Sequence, residues 1–171
     1  GTRPSYHKAC GDQCPVERIS LKSAFEYADT LSKRAGLTPC YEKNRLRLSD
    51  CAGFRLPTES EWQWLAFDAP HPSTAFNAWS KENSDFETQP VCSAGVQRFG
   101  LCDVLGNVWE WVHADEALGT STITVNAKAP VRGGSFAFRK SSLSPPSRWL
   151  EDTKEGGMTV GFRVLTQHQL D

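Results

Sequence analysis

Apolar residues recur at helical spacing in an early segment of the chain. They lie three or four positions apart, at Leu21, Ala24, Phe25, Ala28, Leu31 and Ala35. Ser20 precedes this segment as a suitable N-cap, and Gly36 and Pro39 follow it as helix-ending residues. The pattern therefore predicts an amphipathic helix from Ser20 to about Ala35.

A second helix is predicted to start at Thr58. The sequence Thr-Glu-Ser-Glu at residues 58–61 has the form of a capping box, in which the first and fourth residues satisfy each other's backbone amides. Trp62, Leu65 and Ala66 would form its apolar face. Residues 40–53, between the two helices, are predicted to form a polar loop.

After residue 67 the sequence indicates no helix of ordinary length. Four short segments have the composition of strands, at residues 108–112, 131–132, 135–138 and 161–165. Helices early in the chain and short strands late predict an α+β fold with two helices, a small antiparallel sheet and long loops. We expect one domain over residues 1–171.

Six cysteines suggest the compartment. An even number in a small domain favours disulfides, and therefore an extracellular, periplasmic or cell-surface location. Fifteen pairings are possible, and we take the local one as the prediction: Cys10–Cys14, Cys40–Cys51 and Cys92–Cys102. The alternative is a zinc site, but only the first pair has short spacing and no histidine lies near the later cysteines.

Charge and hydropathy argue against a nucleic-acid-binding protein and against a membrane-spanning one. The chain has 19 Lys and Arg against 20 Asp and Glu, a net charge of −1, so it lacks the excess of basic residues expected of a nucleic-acid binder. Its apolar runs are too short to span a membrane. We also see no signal-peptide pattern at the start of the sequence.

One turn carries a candidate metal site. Asp103 and Glu110 flank a Gly-Asn turn, where backbone carbonyls can point inward beside the two carboxylates. Such oxygens suit a hard cation such as calcium, and a solvated hairpin is the alternative interpretation. His113, which follows this segment, is expected at the surface. Arg148 and Trp149 could form a cation–π or ligand-stacking site, or could simply pack.

Four ordered segments resemble the formylglycine-generating enzyme (sulfatase-modifying factor) family. They are residues 53–62, 99–111, 131–136 and 161–164. Residues 14–20 and 36–41 also resemble bacterial members, so the similarity extends over about residues 4–165. The resemblance implies a variant of the C-type lectin fold with little regular structure.

The resemblance also implies site residues. A structural calcium would be bound by the side chains of Asp103 and Glu110 and by the carbonyls of Gly106 and Val108. Catalytic members use two cysteines, five residues apart, which bind copper(I) and activate oxygen to convert a substrate cysteine to formylglycine. The matching positions here are Phe138 and Leu143. Neither is a thiolate, so we expect no copper and no catalytic residue.

The resemblance also implies N-terminal strands that have no counterpart in the given sequence. We therefore expect a fragment of a larger domain, a domain whose first strands come from elsewhere, or a reduced form of the domain. If the sheet is incomplete, its open edge would need another protein or segment to complete it. We therefore interpret the chain as a non-catalytic binding or structural module that presents residues 137–160 as a recognition surface. Candidate ligand contacts in that segment are Arg139, Arg148 and Trp149.

Three other interpretations remain. The first is an enzyme of the same superfamily with altered or retained activity, such as an iron-dependent sulfoxide synthase, which would need a histidine cluster. The second is a receptor diversified by retroelements, but residues 137–160 contain no Tyr or Asn. The third is a sugar-binding lectin, although residues 87–90 depart from the acidic-Pro-Asn motif of calcium-bound sugar sites.

Overall fold

The two predicted helices are present. A computed structural model describes residues 4–67, 77–115 and 127–166, and the remaining parts of the predicted 1–171 domain lie outside these described residues. Helix α1 spans Leu21–Arg34 and helix α2 spans Glu59–Phe67. After α2, the described part of the chain contains only short strands, 3-10 turns and loops.

Both helices begin as their sequences predict. The Ser20 Oγ accepts the Ser23 N–H at 3.1 Å and so caps α1. At α2, the Glu61 N–H donates to the Thr58 hydroxyl at 3.1 Å, and the Thr58 N–H donates to the Glu61 carboxylate at 2.9 Å. Each hydrogen bond satisfies an amide that the first turn of a helix leaves unpaired.

Eight short strands lie in the described residues. In chain order they are β1 Tyr41–Glu42, β2 Arg45–Leu46, β3 Phe54–Arg55, β4 Trp109–Trp111, β5 Lys128–Arg132, β6 Arg148–Asp152, β7 Val160–Gly161 and β8 Leu165–Thr166. The central sheet has the order β6-β5-β4-β7, and β1–β2 and β3–β8 form two separate antiparallel pairs. Because β4 and β7 are parallel, the sheet predicted as antiparallel is mixed.

Several strand predictions need correction. Residues 135–138 form a turn, in which the Phe138 N–H donates to the Ser135 carbonyl at 3.0 Å, because Gly133 and Gly134 redirect the chain at φ values of 97° and 77°. Residues 161–165 are divided between β7 and β8, which belong to different sheets. Strand β6 was not predicted, because its Arg-Trp-Leu-Glu-Asp sequence does not alternate between apolar and polar residues.

The predicted polar loop at residues 40–53 contains the β1–β2 hairpin. Its two-residue turn places Lys43 and Asn44 at φ values of 49° and 64°. Two consecutive left-handed residues are typical of a type I′ turn, whose twist matches that of the paired strands. The sequence lacks the usual Asn-Gly signature of such a turn, so the hairpin was not predicted.

The central sheet separates two apolar clusters. Trp109 and Trp111 of β4 point towards α1, while Glu110 between them points towards α2, as alternation along a strand requires. The cluster on the α1 side contains Leu21, Ala24, Phe25, Ala28, Cys40, Tyr41, Leu56, Trp109, Trp111, Val131 and Val160. The cluster on the α2 side contains Trp62, Ala66, Ala78, Val104, Leu105, Val112 and Leu143.

All six cysteines form the predicted disulfides. The Cα–Cα distances are 5.1 Å for Cys10–Cys14, 4.8 Å for Cys40–Cys51 and 4.8 Å for Cys92–Cys102. They stabilise loop-rich parts of the chain, each by about 2–3 kcal/mol from loop-closure entropy. Within the described ranges, no helix has the length and apolar character needed to cross a membrane.

The prediction that His113 lies at the surface is wrong. The side chain is buried, its ring stacks on Phe25 with centroids 5.2 Å apart, and its Nε2 lies 2.9 Å from the Tyr41 hydroxyl. That hydroxyl accepts the Leu56 N–H and can therefore donate its own proton to Nε2. Burial, assisted by the nearby Arg55, lowers the pKa of His113 to about 4, so the imidazole is neutral at pH 7.

We expect His113 to make the fold sensitive to acid. Its pKa is lower in the folded protein than in the unfolded chain, so the unfolded chain binds the proton more tightly between about pH 6.5 and 4. The free energy of unfolding should therefore fall through this range as pH is lowered, by about 2–3 kcal/mol from this group. Urea unfolding of the wild type and of His113→Gln at pH 4.5 and 7 should show a smaller pH dependence in the variant. Equal pH dependence would contradict this role.

Candidate functional site

Residues 103–110 form a buried turn of unusual backbone geometry. Asp103, Gly106 and Asn107 have φ values of 51°, 84° and 57°, all left-handed. A Cβ at Gly106 would lie 2.4 Å from the Trp79 carbonyl oxygen, so only glycine fits. The Phe136 N–H donates to the Asn107 carbonyl at 2.8 Å, which joins this turn to the glycine-rich segment at residues 131–136.

Glu110 connects three of the four recognised segments. The indole N–H of Trp62 donates to the Glu110 Oε2 at 2.7 Å, and the Arg163 Nε–H donates to the same oxygen at 2.6 Å. The Arg163 Nη2 donates to the other carboxylate oxygen and to the carbonyls of Cys102 and Asp103. The carboxylate is buried, so the guanidinium balances its charge where water cannot.

A second buried carboxylate, that of Glu59, connects the fourth recognised segment, residues 131–136, to α2. Glu59, at the start of α2, accepts from the Arg132 Nε at 3.0 Å and from the Arg148 Nε at 2.7 Å. Arg132 and Glu59 are both buried, whereas Arg148 is partly exposed. This cluster fixes α2 to β5 and β6.

Asp103 has one carboxylate oxygen without a partner. Its Oδ2 accepts the Cys92 N–H at 2.9 Å and lies 3.4 Å from the Asn107 side-chain amide. Its Oδ1 is buried and has no hydrogen-bond partner. Burial raises the pKa of Asp103, because desolvation of the carboxylate outweighs the hydrogen bonds from Cys92 and Asn107 and the charge of Arg163. An unsatisfied buried oxygen is costly in a native structure unless an ion or water completes it.

Two carboxylate oxygens beside this turn retain lone pairs that a cation could use. Asp103 Oδ1 offers a free lone pair, and the Glu110 oxygen bound only by Arg163 retains another. The described residues contain no group of three or more His, Cys, Asp or Glu side chains able to bind a metal. A site here would therefore combine two carboxylates with the carbonyls of Gly106 and Val108, and the calcium assignment stays a prediction.

The two positions of the family's copper-binding cysteines have structural roles. Leu143 is fully buried in the α2-side cluster, where it packs against Gly134. Phe138 is partly exposed and its ring contacts Trp109 edge-on, with centroids 5.3 Å apart. All six cysteines of the chain are in disulfides, so no thiol is available from elsewhere in the sequence.

The predicted ligand surface is dispersed. Arg139 is exposed just before a 3-10 turn, whereas Arg148 and Trp149 are neighbours in β6 and so point to opposite faces of the sheet. Arg148 contacts Glu59, and Trp149 is 58% exposed. The structure does not bring Arg148 and Trp149 together as a stacked pair, and their role in binding stays a prediction.

Sequence reasoning did not assign roles to Arg163 or Glu59. A lone arginine between apolar residues in the short Gly-Phe-Arg-Val segment was a usable indication, because a charge in such a context needs a buried partner. The partner itself, Glu110, lies 53 residues away and could be identified only from the fold.

Comparisons with known proteins agree with this architecture. A family model described as "Sulfatase-modifying factor enzyme 1-like domain" matches residues 2–168. The chain therefore belongs to the sulfatase-modifying factor family, whose members include proteins named formylglycine-generating enzyme.

Three relatives have informative names. "Chaperone protein LppX" of Paenibacillus barcinonensis is 27% identical, with 96% of this chain and 73% of that protein covered. The formylglycine-generating enzyme of Mycobacterium tuberculosis is 32% identical over 35% of this chain and 27% of its own length. The formylglycine-generating enzyme of Mus musculus is 27% identical over 68% of this chain and 40% of its own length. The matched regions thus span less than half of each of the two enzymes.

Solved structures share the fold. "Treponema denticola variable protein 1" superposes with a TM-score of 0.80 at 23% identity, covering 96% of this chain and 77% of that one. The protein named CarF superposes with a TM-score of 0.74 at 23% identity, covering 95% of this chain and 70% of CarF. PvdO from Pseudomonas aeruginosa superposes with a TM-score of 0.67 at 22% identity, covering 96% of this chain and 69% of PvdO. These similarities confirm the predicted fold class.

We expect Leu143 and Phe138 to contribute unequally to stability. Leu143→Ala should lower the free energy of unfolding by about 2–5 kcal/mol, because it leaves a cavity in the α2-side cluster. Phe138→Ala should cost about 1 kcal/mol, since it removes only a partly exposed edge contact. Denaturant unfolding of both variants measures the difference, and comparable losses would contradict the assignment of Leu143 to the core.

Proposed function

We propose that this chain is a non-catalytic member of the sulfatase-modifying factor family that binds another molecule outside the cytoplasm. One observation carries the proposal: apolar side chains occupy both copper-ligand positions, and Leu143 is part of the core. Copper(I) prefers soft thiolate ligands, which a benzyl or isobutyl side chain cannot supply. The fold is retained while the chemistry expected at these positions is lost.

A relative's name supports a binding role. The protein called chaperone LppX matches nearly the whole of this chain, and a chaperone acts by contacting another protein. We therefore propose a protein partner for this chain. The exposed residues of the 137–160 segment would contact that partner, with Arg139 in a loop and Trp149 on β6, an outer strand of the central sheet.

The disulfides support the location. Bonds of this type persist in oxidising compartments and are rare in the cytosol, and this chain holds all six cysteines in them. We propose that the protein functions at a cell surface, in a periplasm or in the extracellular space.

Calcium completes the proposal as a structural ion. Asp103, Gly106, Val108 and Glu110 would hold it, and its charge would compensate the unpartnered Asp103 oxygen. The expected effect is to stabilise the left-handed turn at residues 103–107, on which the Phe136 and Gly133 segments depend through backbone hydrogen bonds.

A direct assay tests catalytic silence. The intact, oxidised protein is incubated with a cysteine-containing sulfatase peptide, copper(I), ascorbate and oxygen, so that no added thiol opens its disulfides. We expect no aldehyde by hydrazide capture and mass spectrometry, because the chain has no thiolate to bind copper. A copper-dependent formylglycine-generating enzyme in the same buffer serves as the positive control. Formation of formylglycine by this chain would overturn the proposal in favour of an active enzyme.

A thermal shift tests the calcium site. Saturating calcium, about 100-fold above its Kd, should raise the Tm by about 5–10 °C relative to EDTA. Asp103→Asn should lose most of this shift, because it removes the charge of the free oxygen. Asp85→Asn is a matched control, since Asp85 is exposed and has a similar left-handed φ of 53°. A shift that is absent in the wild type, or unchanged by Asp103→Asn, would exclude this site.

A further inference from the structure

A cavity of about 650 Å³ lies between the N-terminal segment, the start of α1 and the loop between β7 and β8. It does not include the positions of the copper ligands or residues 137–160. Its volume is within the range of pockets that hold small organic molecules, about 300–1,000 Å³. Its apolar lining comes from Val16, Ile19, Tyr27, Phe162 and Val164, among others.

The apolar wall includes an aromatic pair. Tyr27 and Phe162 contact edge-on, with ring centroids 5.4 Å apart, and Tyr27 is 55% exposed on the outer face of α1. Such a wall offers ring faces and edges to the apolar body of a ligand. The wall is also well supported, because a Cβ at Gly161 would lie 2.3 Å from the Val16 carbonyl oxygen, so the N-terminal segment packs directly on β7.

The charged groups of the cavity are basic. Lys8, Arg163 and His7 line it, and none of its lining residues in the described part of the chain is Asp or Glu. Glu110 already balances the charge of Arg163 and, with two carbonyls, fixes its Nε and Nη2. Arg163 is among the lining residues, and its Nη1 makes no hydrogen bond to the described residues, so this donor is available to a ligand. Lys8 supplies the uncompensated positive charge.

His7 is not available to bind an anion in the cavity, because its ring is held by other contacts. Its Nδ1 lies 2.5 Å from the Glu87 carboxylate, and its ring packs edge-on against Phe136 at 4.8 Å. Both contacts hold the imidazole in one orientation at the edge of the cavity. Arg163 and Lys8 are therefore the lining residues whose charged groups could bind an anion.

We infer that this cavity binds a small organic carboxylate with an aromatic or branched apolar body. The carboxylate would accept from the Arg163 Nη1 and lie near Lys8, while the body would contact Tyr27 and Phe162. Arg163 suits this role because its guanidinium is held rigid before the ligand arrives, which reduces the entropy lost on binding. The inference does not depend on whether the family's oxidase chemistry is absent.

The test uses 3-phenylpropionate and its uncharged analogue, 3-phenylpropanamide, as probes. Each is titrated into the isotopically labelled full chain and followed by backbone amide NMR at low salt. We expect the acid to shift the amide signals of Ile19, Tyr27 and Phe162, and the amide to bind about 5-fold more weakly because it lacks the charge. No shift at these residues, or equal affinities for the two probes, would overturn the inference.

Variants of exposed residues separate binding from folding. Tyr27→Asp should weaken binding of the acid by about 10-fold or more, because it removes the ring and adds a like charge, whereas Tyr27→Phe should bind as the wild type does. Lys8→Gln should weaken binding about 3-fold, and Lys33→Gln, at an exposed position of α1 outside the cavity, should not. Unchanged affinity in Tyr27→Asp would overturn the proposed site.

Because the aldehyde assay does not use this cavity, the proposed ligand site and the proposed lack of catalysis can fail independently.

Discussion

The structure depends on the buried carboxylate of Glu110. Its partners are Trp62 from α2 and Arg163 from the segment after β7, so a single side chain of β4 connects elements from three parts of the sequence. Removing one partner of a buried ion pair typically costs about 3–5 kcal/mol, because the remaining charge stays desolvated. The described residues form two helices and eight short strands. Backbone pairing between such short elements supplies little cohesion, so this polar network specifies how they pack together.

The same constraint explains how the family fold persists without the family's cysteine pair. The recognised segments contact one another around Glu110 and Glu59, whereas Phe138 and Leu143 lie outside these ion pairs. A leucine at position 143 fills a place in the α2-side cluster, so its effect on the core is favourable although it excludes metal binding. Scaffold and reactive positions are therefore separable in this protein, and membership of the family does not by itself imply oxidase activity.

Sequence patterns predicted features whose cause is local. The cap of α1 at Ser20, the capping box at Thr58 and the three disulfides between near neighbours were all confirmed. Features that depend on distant partners were missed. Strand β6 exists because it pairs with β5, and His113 is buried because α1 and the Tyr41 hydroxyl cover it. Asp103 and Glu110 were candidate calcium ligands from the residue pattern, and the family resemblance added the carbonyls of Gly106 and Val108. Only the fold revealed the unpartnered oxygen of Asp103.

Arg163 links the scaffold to the proposed ligand cavity. Two of its nitrogens hold the Glu110 carboxylate and the carbonyls of Cys102 and Asp103, and the third is the one proposed to bind a ligand in the cavity that Arg163 lines. A ligand at that third nitrogen would contact the same planar group that fixes the turn proposed to bind calcium. Because a guanidinium is rigid, a displacement at one edge also moves the donors at the other. Occupancy of the cavity and order in the turn should therefore be energetically coupled, and by linkage each would strengthen or weaken the other equally.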